Sequence, residues 1–370
     1  MATFNGQLRS NEIFAALYNM IISQQVFADN IYDTKATLAD MSRVDGSMYG
    51  DTKLYYSTDV LKSVPWGNDA EAANLLALHR PEAPEVQAIH LDQFRQISLT
   101  VDNYLSKRAW GTEGAFSSFN SVMLGWIRDT KRVYDATLFN SYIGTAASGV
   151  GRQTITVNLP VDENDVEATN RLQASAIAEA AANLLVDLED VTRDFNDYGN
   201  LRSYSSEDLI FVWNSEAVNK IKKYDLPTIF HKDELIDKFA EHTLPARYFG
   251  NVNAVGGTTS GANITVRSLI EADYGDVHVF PGELLPGGVA YSANVTYTED
   301  PTILFKVMHK KSVPFMSAFE VGTSFFNPKS LTENHYLTWG YNTLEYLKNY
   351  PFITVKGVSA SWYSLSYSVF

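Results

Sequence analysis

The clearest periodic pattern in the chain is the stretch TEGAFSSFNSVMLGWIRDTKRVYDATLFNSYIG, residues 112–144. Apolar side chains recur there at three- and four-residue spacing, the period of one face of an α-helix, and charged side chains lie between them. The first series comprises Phe116, Phe119, Met123, Trp126, Ile127, Thr130, Tyr134, Leu138 and Tyr142, and the charged series comprises Arg128, Asp129, Lys131, Arg132 and Asp135. At about 1.5 Å per residue, the pattern predicts one helix of more than roughly 40 Å, with a solvated charged side and with Gly144 as its end.

Shorter helices and strands alternate after this helix. The predicted elements are a strand at 154–159, an Ala-rich helix at 167–196, a strand at 208–213 and a helix at 215–223. Asn214 or Ser215 has the type of side chain that caps the N-terminus of a helix. This alternation predicts a small α/β core in the middle of the chain.

The last third of the chain is predicted to be rich in β-strands. A helix at 233–246 and a loop of glycine and threonine residues at 250–261 precede most of them. The predicted strands are 263–270, 276–281, 303–308, 317–325, 336–339, 352–358 and 363–369. Long helices followed by a run of strands are typical of the α+β class, which is the fold class we expect.

The N-terminal segment has an apolar face that needs a partner. Residues 10–31 are predicted to be helical, with Ser10 as the cap and with Phe14 and Leu17 on the apolar face. An ordinary packed terminal helix fits this pattern, and so does an N-terminal arm that lies on a neighbouring subunit. The sequence leaves both alternatives open.

Residues 49–105 form a long excursion between extended segments. Tyr55 and Trp66 lie in a stretch interrupted by prolines, and Ile89 and Leu91 begin an alternating strand pattern. A loop of this length inside a compact domain is uncommon and tends to be functional. It either folds back onto the chain's own core or packs on another subunit. The candidate inter-subunit contacts of the two segments are Phe14, Leu17, Tyr55, Trp66, Ile89 and Leu91.

The charge balance limits the kinds of partner. The chain has 43 acidic and 29 basic residues, a formal net charge of −14, and no cluster of Lys or Arg reverses that sign locally. Sequence-independent binding of nucleic acid needs clustered cations that neutralise phosphates, so this balance argues against tight DNA binding. The chain also lacks an apolar run of about 18 residues and a secretion-signal pattern at its start, which predicts a protein made in the cytoplasm and not in a membrane.

The residue types that carry catalysis or bind metals are not arranged for either purpose. The sequence has no cysteine, and its seven histidines stand at no spacing that would converge on a metal. Residues 162–165 form an acidic cluster without the glycine and closing glutamate of a calcium loop. The segment 256–261 lacks the lysine of a phosphate loop and the Gly-x-Ser-x-Gly of a nucleophile elbow. We therefore expect no metal, no cofactor and no enzymatic activity.

The order of these elements resembles the subunit of a tailed-bacteriophage capsid with the Hong Kong-ninety-seven-type fold. The segment FFNPKSL at 325–331, together with Tyr336, Trp339 and the strand at 352–355, is similar to the closing segment of phi-twenty-nine-like capsid proteins of small podophages. The region 208–235 is similar to their central region. The resemblance in element order extends over nearly the whole chain.

This resemblance implies a layout of an arm, a loop and two domains. It assigns 1–48 to the N-terminal arm, 49–101 to the extended loop, 102–165 and 300–347 to a peripheral domain with the spine helix, and 166–299 and 348–370 to an axial domain. The glycine-rich loop at 250–261 would then lie at a tip, near the centre of a capsomer.

The function implied by the resemblance is that of a major capsid protein, which assembles into the icosahedral or prolate head around the double-stranded DNA of a tailed phage. The implied partners are further copies of the chain in hexamers and pentamers, a separate scaffolding protein during assembly, a portal protein, and packaged DNA by proximity, with no membrane. The implied location is the virion capsid, and the host cytoplasm during assembly. An encapsulin-type nanocompartment shell of the same fold is the alternative. An enzyme or carbohydrate-binding β protein with an unrecognised site is a third hypothesis.

Overall fold

The computed structural model describes residues 37–45, 52–63, 78, 80–102, 113–224, 242–254, 265–267, 276–278, 284–285, 289–290 and 295–360. The helices in these ranges are α1 (Thr37–Met41), α2 (Glu113–Thr145), α3 (Val166–Glu189) and α4 (Ser215–Tyr224). The strands are β1 (Arg43–Asp45), β2 (Thr52–Ser57), β3 (Glu85–Asp102), β4 (Thr154–Pro160), β5 (Leu209–Asn214), β6 (His242–Leu244), β7 (Gly250–Ala254), β8 (Thr265–Arg267), β9 (Asp276–His278), β10 (Leu284–Leu285), β11 (Val289–Ala290), β12 (Val295–Glu299), β13 (Ile303–His309), β14 (Phe315–Asn327), β15 (Thr332–Asn342) and β16 (Phe352–Ala360). The predicted helix at 10–31 and the predicted strand at 363–369 lie outside the described residues.

Most strands of the described chain belong to two five-stranded sheets. The first sheet has the order β1-β14-β15-β3-β2, and the second has the order β4-β16-β13-β5-β6. In the first sheet only the short β1 pair is parallel, whereas the second sheet has parallel pairs at both edges, β16 with β4 and β5 with β6. The fold is therefore a mixture of helices with two mainly antiparallel sheets.

The central strands of the second sheet are covered on both faces. Strand β5 reads LIFVWN, and all six residues are buried. Phe211 and Trp213 face the hydrophobic cluster that includes α3 and α4, while Ile210 and Val212 face the cluster that includes α2. A strand buried on both faces needs a continuous apolar run instead of an alternating one, which is what this sequence has.

Helix α2 lies between the two sheets, within one residue of the predicted range at each end. The ring of Phe139 packs on Phe315 of the first sheet at 6.0 Å between centroids, and the ring of Tyr142 packs on Phe352 of the second sheet at 6.2 Å. The layers of the molecule are thus the first sheet, α2, the second sheet, and α3 with α4.

The prediction of a solvated charged side on α2 is wrong at two positions. Lys131 and Asp135 are buried, at 7% and 2% exposed, and their side chains form an ion pair with 3.2 Å between Nζ and Oδ2. Because sheets cover the helix from two sides, its C-terminal half has few solvated positions. A charged side chain there has to be paired within the protein.

Gly144 has a different role from the predicted one. The helix continues to Thr145, so Gly144 is its penultimate residue and not its end. A Cβ built on Gly144 would collide with the backbone carbonyl of Tyr248. Glycine is therefore needed for the close approach of α2 to the short helical turn Ala246–Tyr248, and not for a left-handed backbone.

Helix α3 is shorter than predicted. The apolar periodicity continues through Val191 and Phe195, but the helix ends at Glu189. Asp190 has an extended backbone, its carboxylate accepts a hydrogen bond from the Val191 amide, and the Tyr204 amide bonds to the Leu188 carbonyl. These bonds satisfy groups at the helix end, so the chain can turn although the apolar pattern does not stop.

Two further predictions, both for residues between 233 and 261, differ from the observed structure. Residues 242–244 form β6 where a helix at 233–246 was expected, and the earlier part of that range lies outside the described residues. Residues 250–254 form β7, which pairs with β12, where the loop 250–261 was expected. A short strand takes its conformation from its partner, and β12 begins more than forty residues further along the chain.

The second sheet joins segments from both predicted domains. Strands β4 and β13 lie in the ranges assigned to the peripheral domain. Strand β4 pairs with β16 and β13 pairs with β5, and both of these partners lie in the ranges assigned to the axial domain. The pairing Thr354 to Thr154 illustrates how distant parts of the chain form one sheet.

Lys306 is a buried cation in the middle of the second sheet. It is 2% exposed, and its Nζ donates a hydrogen bond of 2.7 Å to the carbonyl oxygen of Ala146, just after the end of α2. Burial lowers the pKa of Lys306 to about 7, and the nearby charge of Lys356 acts in the same direction. The lysine thus bonds the C-terminal end of α2 to the second sheet, where the helix dipole favours a donor.

We predict that Gly144→Ala destabilises the subunit, because the added methyl group meets backbone and not a movable side chain. The expected loss in the free energy of unfolding is about 1–3 kcal/mol, typical of overpacking. Urea denaturation of the unassembled subunit measures it. Gly125→Ala on the same helix is the matched control, since its Cβ meets nothing within 4 Å. That control should be neutral or stabilised by up to about 1 kcal/mol. Equal effects of the two changes would contradict the role of Gly144.

We predict that the stability advantage of the wild type over Lys306→Met grows as the pH rises from 7 towards 10. The unfolded lysine keeps its proton to about pH 10.4, whereas the folded one loses it above about pH 7. The unfolded state therefore binds more protons in this window, and stability rises with pH by up to about 1.4 kcal/mol per unit. Urea titrations at several pH values test this. Lys310→Met, which removes a lysine side chain 42% exposed, is the control for the loss of a positive charge next to the same strand. A constant difference for Lys306→Met would contradict the prediction.

Candidate assembly surfaces

The base of the extended loop is a two-stranded stem formed by β2 and β3. The strands pair antiparallel, with Tyr56 opposite Val86 and Leu54 opposite Ala88. Beyond the stem, from Leu91 to Asp102, the long strand β3 pairs with β15. The stem is therefore an extension of the first sheet and shares the alternation of that sheet.

One face of the stem packs on the chain's own body. Ile89 and Leu91 are 2% and 3% exposed, and they form a cluster with Met316 and Leu347. Tyr55 is partly buried against the same cluster, and burial raises the pKa of its hydroxyl. The structure thus brings together these three of the candidate contact residues.

The predicted contacts divide into two groups. Ile89 and Leu91 are covered within the subunit, because the inward face of β3 packs on Met316 and Leu347, so they leave little side-chain surface for a neighbour. Phe14, Leu17 and Trp66 lie outside the described residues. The inter-subunit role of all six residues stays a prediction.

The opposite face of the stem carries apolar side chains that the candidate list omitted. Leu54, Tyr56 and Val86 are 52%, 64% and 50% exposed, and they lie side by side because Tyr56 and Val86 are cross-strand partners. We call these three residues the stem face. The signal in the sequence was available: apolar residues occupy both alternating sets of β2, so one set had to point away from the core.

A second apolar surface lies at the end of the β14–β15 hairpin. Phe325, Phe326 and Leu331 are 62%, 48% and 44% exposed. The Asn327 side chain accepts a hydrogen bond from the Lys329 amide and shapes the turn, in which Leu331 has a φ of 55°. This is the segment FFNPKSL of the sequence, so this part of the pattern that carried the family resemblance lies at the surface, whereas Trp339 and Phe352 of the same pattern are buried.

Buried charges connect α2 to the edge of the first sheet. Lys131 Nζ lies 3.4 Å from Glu320 Oε2, and Arg43 Nη2 lies 3.8 Å from Asp135 Oδ2. Glu320 falls where the pairing of β14 with β15 shifts register between Ala318 and Val321. Burial raises the pKa of Asp135, and the Lys131 ammonium opposes this effect. The network fixes β1, α2 and the irregular part of β14 to one another.

The described part of the chain offers little for other chemistry. It contains no group of three or more His, Cys, Asp or Glu side chains placed to hold a metal ion. Among the described helices, none combines the length and the apolar character needed to cross a lipid bilayer. A cavity of about 310 Å³ between the stem and α2 is lined in part by Gln87, whose amide bonds internally to the Tyr346 carbonyl and the Lys348 amide.

Solved structures that share this fold include a chain of a phage capsid structure. A chain from the capsid structure of Staphylococcus phage Andhra matches with a TM-score of 0.60 at 11% identity, over 86% of this chain and 83% of that chain. A chain from the structure of the head fiber and inner core protein of native bacteriophage P68 matches with a TM-score of 0.56 at 12% identity, over the same shares of the two chains. No curated protein sequence matches the chain. These likenesses show the fold class of the chain, which it shares with a chain of a phage capsid structure.

The sequence identifies the family within this class. Residues 3–354 match the model of the Phi29-like phage major capsid protein. The chain belongs to that family, and it is a shell-forming structural protein of a phage virion. The predicted resemblance is thereby confirmed, and the nanocompartment alternative is not favoured.

We predict that serine substitutions on the two faces of the stem affect different properties, stability on the inward face and assembly on the outward face. Ile89→Ser should lower the free energy of unfolding of the unassembled subunit by roughly 3 kcal/mol, because it leaves a cavity and buries a hydroxyl. Tyr56→Ser should change it by less than about 0.5 kcal/mol and should instead reduce the yield of assembled particles. Urea denaturation and sedimentation measure the two effects. If both variants unfold at the same urea concentration, the assignment of the faces is wrong.

Proposed function

We propose that this chain is the subunit from which a tailed phage builds the icosahedral or prolate head around its double-stranded DNA, through pentamers and hexamers of the chain. The observation that supports this most directly is the two-sided stem. Ile89 and Leu91 fix one face to the subunit, while Leu54 and Tyr56 leave the other face apolar and exposed. Among phage capsid proteins, such a face is explained by a second copy that covers it.

The hydrophobic effect supplies the driving force for this contact. Burial of apolar area contributes about 25 cal/mol per Å², and ordering of the joined segments offsets part of it. The stem is already ordered by the pairing of β2 with β3 and by the packing of Ile89 and Leu91 on the subunit, so less of that gain is lost on assembly. Many weak contacts, repeated around different symmetry axes, then hold the shell.

We propose the family layout for this chain with one adjustment. The arm is 1–48 and the loop is 49–101, as the resemblance implies. The sheet pairings favour placing β4 and β13 with the axial domain, since both strands pair with β16 or β5. The peripheral domain then consists of α2 and the first sheet, and α2 is its spine helix.

The proposed partners follow from the same role. Assembly takes place in the host cytoplasm with a separate scaffolding protein, and a portal protein joins the shell at one vertex. The net charge of −14 favours a wall that lies beside packaged DNA without binding it tightly. We propose no catalytic activity for the chain.

We predict that deletion of residues 64–80 leaves the subunit folded and abolishes closed shells. The deletion joins Ser63 to Pro81, next to Lys62 and Glu82, whose side chains form an ion pair across the two ends of the loop at 2.9 Å. Electron microscopy of the purified full chain should show closed particles of uniform size. The shortened chain should stay a subunit with an unchanged urea midpoint.

Three outcomes would contradict this proposal. A full chain that remains a monomer under all assembly conditions would argue against shell building. If the shortened chain formed normal shells, residues 64–80 would not be needed for the contacts between subunits. Unfolding of the shortened chain would place residues 64–80 in the subunit's own core.

A further inference from the structure

The extended loop leaves the stem at a point held by polar side chains. Strand pairing between β2 and β3 stops at Ser57 opposite Glu85. Beyond it, Val60 and Leu61 are 49% and 80% exposed, so the departing chain buries little apolar surface. The ion pair between Lys62 and Glu82 is at the surface and contributes little to the direction of the loop.

Residues 57–59 are bonded to the segment that follows α3. The carboxylate of Asp59 accepts hydrogen bonds from Arg193 Nη1 at 2.6 Å and from the Leu201 amide at 2.9 Å. The Thr58 carbonyl accepts one from Arg202 Nη2 at 2.6 Å. The bond from the Leu201 amide has a charged acceptor, and the bond from Arg202 has a charged donor. Such charge-assisted bonds to backbone groups are strong and hold residues 58 and 59 in place.

The buried end of this contact lies at Ser57. Its hydroxyl accepts a hydrogen bond of 2.8 Å from Asn200 Nδ2 and donates one of 2.6 Å to Asn349 Oδ1. Ser57 and Asn200 are 5% and 7% exposed. A buried hydroxyl with both a donor and an acceptor partner has one favoured orientation, so the chain leaves the strand in a defined direction.

The segment that receives the loop is itself rigid. Thr192 and Arg202 exchange two backbone hydrogen bonds, and the side chain of Asn196 bonds twice to the backbone of Asn200. Asp197 accepts hydrogen bonds from Gln153, Tyr346 and the Val150 amide, which fix the segment to the second sheet. The loop is thus attached to the body that carries the second sheet, although its stem belongs to the first sheet.

We propose that Ser57, Asp59, Arg193 and Asn200 form a loop clamp that sets the direction in which the extended loop leaves the subunit, and thereby the place where it meets the next copy. The inference rests on the proposed function, since the loop has a neighbour to meet only in a shell. These are positioning residues. They act through the loop and make no contact of their own with the neighbouring copy.

The effect of the loop clamp on the direction of the loop can be measured separately from the effect of core packing on stability. Its residues lie outside the hydrophobic clusters of the two sheets. The Leu201 amide and the Arg193 guanidinium hold the pKa of Asp59 down at about 2, so the carboxylate is charged at every pH used for assembly. Loss of the clamp should change the direction of the loop while the cores stay intact.

The test compares Asp59→Ala, Asp59→Asn and Arg193→Met in the full chain. Arg152→Met is the matched control, because Arg152 forms an exposed ion pair with Asp194 of the same segment at 3.1 Å but has no bond to residues 57–59. Hydrogen exchange at the Leu201 amide of the unassembled subunit should accelerate at least about tenfold in Asp59→Ala, an opening factor typical of one lost bond. It should accelerate less in Asp59→Asn, which keeps an acceptor, and not in the control.

Assembly provides the second measurement. Asp59→Ala and Arg193→Met should keep the urea midpoint of the control, while the fraction of uniform closed shells seen by electron microscopy falls several-fold and irregular particles replace them. Shells from Asp59→Ala as regular and abundant as those of the wild type would overturn the proposal. A urea midpoint that falls in parallel with assembly would also overturn it, since the residues would then support the fold.

The two proposals fail in distinguishable ways. If the wild-type chain forms no particles, shell building fails, while exchange at Leu201 still tests the attachment of the loop in the free subunit. If the wild type assembles and Leu201 exchanges at the same rate in Asp59→Ala, the loop clamp fails and shell building stands.

Discussion

The burial of α2 between two sheets is the constraint on which the rest of the subunit depends. Phe139 contacts the first sheet and Tyr142 contacts the second, so a single helix is the shared core of both. Charged side chains in such a helix need partners inside the protein. Lys131 therefore pairs with Asp135, and Lys306 donates to the carbonyl at the end of the helix.

Local periodicity predicted the bounds of elements well where the apolar spacing is regular. The bounds of α2 and the alternation in β3 followed from apolar spacing alone, and Asn214, one of the two expected caps, accepts a hydrogen bond from the Glu216 amide at the start of α4. The buried pair on α2 could not be predicted in the same way. Its environment comes from Arg43 and Glu320, which are distant in sequence and leave no trace in a helical period.

Three of the candidate contact residues, Tyr55, Ile89 and Leu91, lie on the face of the stem that packs on the subunit, and their contact with a neighbour stays a prediction. Residues 49–101 do contain an exposed apolar patch, yet it is formed by Leu54, Tyr56 and Val86. Alternation gives two faces and does not say which is inward. That choice is made by the pairing of β3 with β15, such as Leu99 with His335, and by Met316 and Leu347 beneath the stem.

The order of strands in the second sheet has a consequence for the timing of synthesis. Strand β16 lies between β4 and β13, with Thr354 paired to Thr154 across two hundred positions. In a growing polypeptide on the ribosome, β4 and β13 therefore cannot join one sheet until residue 360 has emerged, because the strand that pairs with both is translated last of the three. A truncated chain that lacks β16 leaves β4 without its partner and one edge of β13 open, and open strand edges tend to pair with other chains.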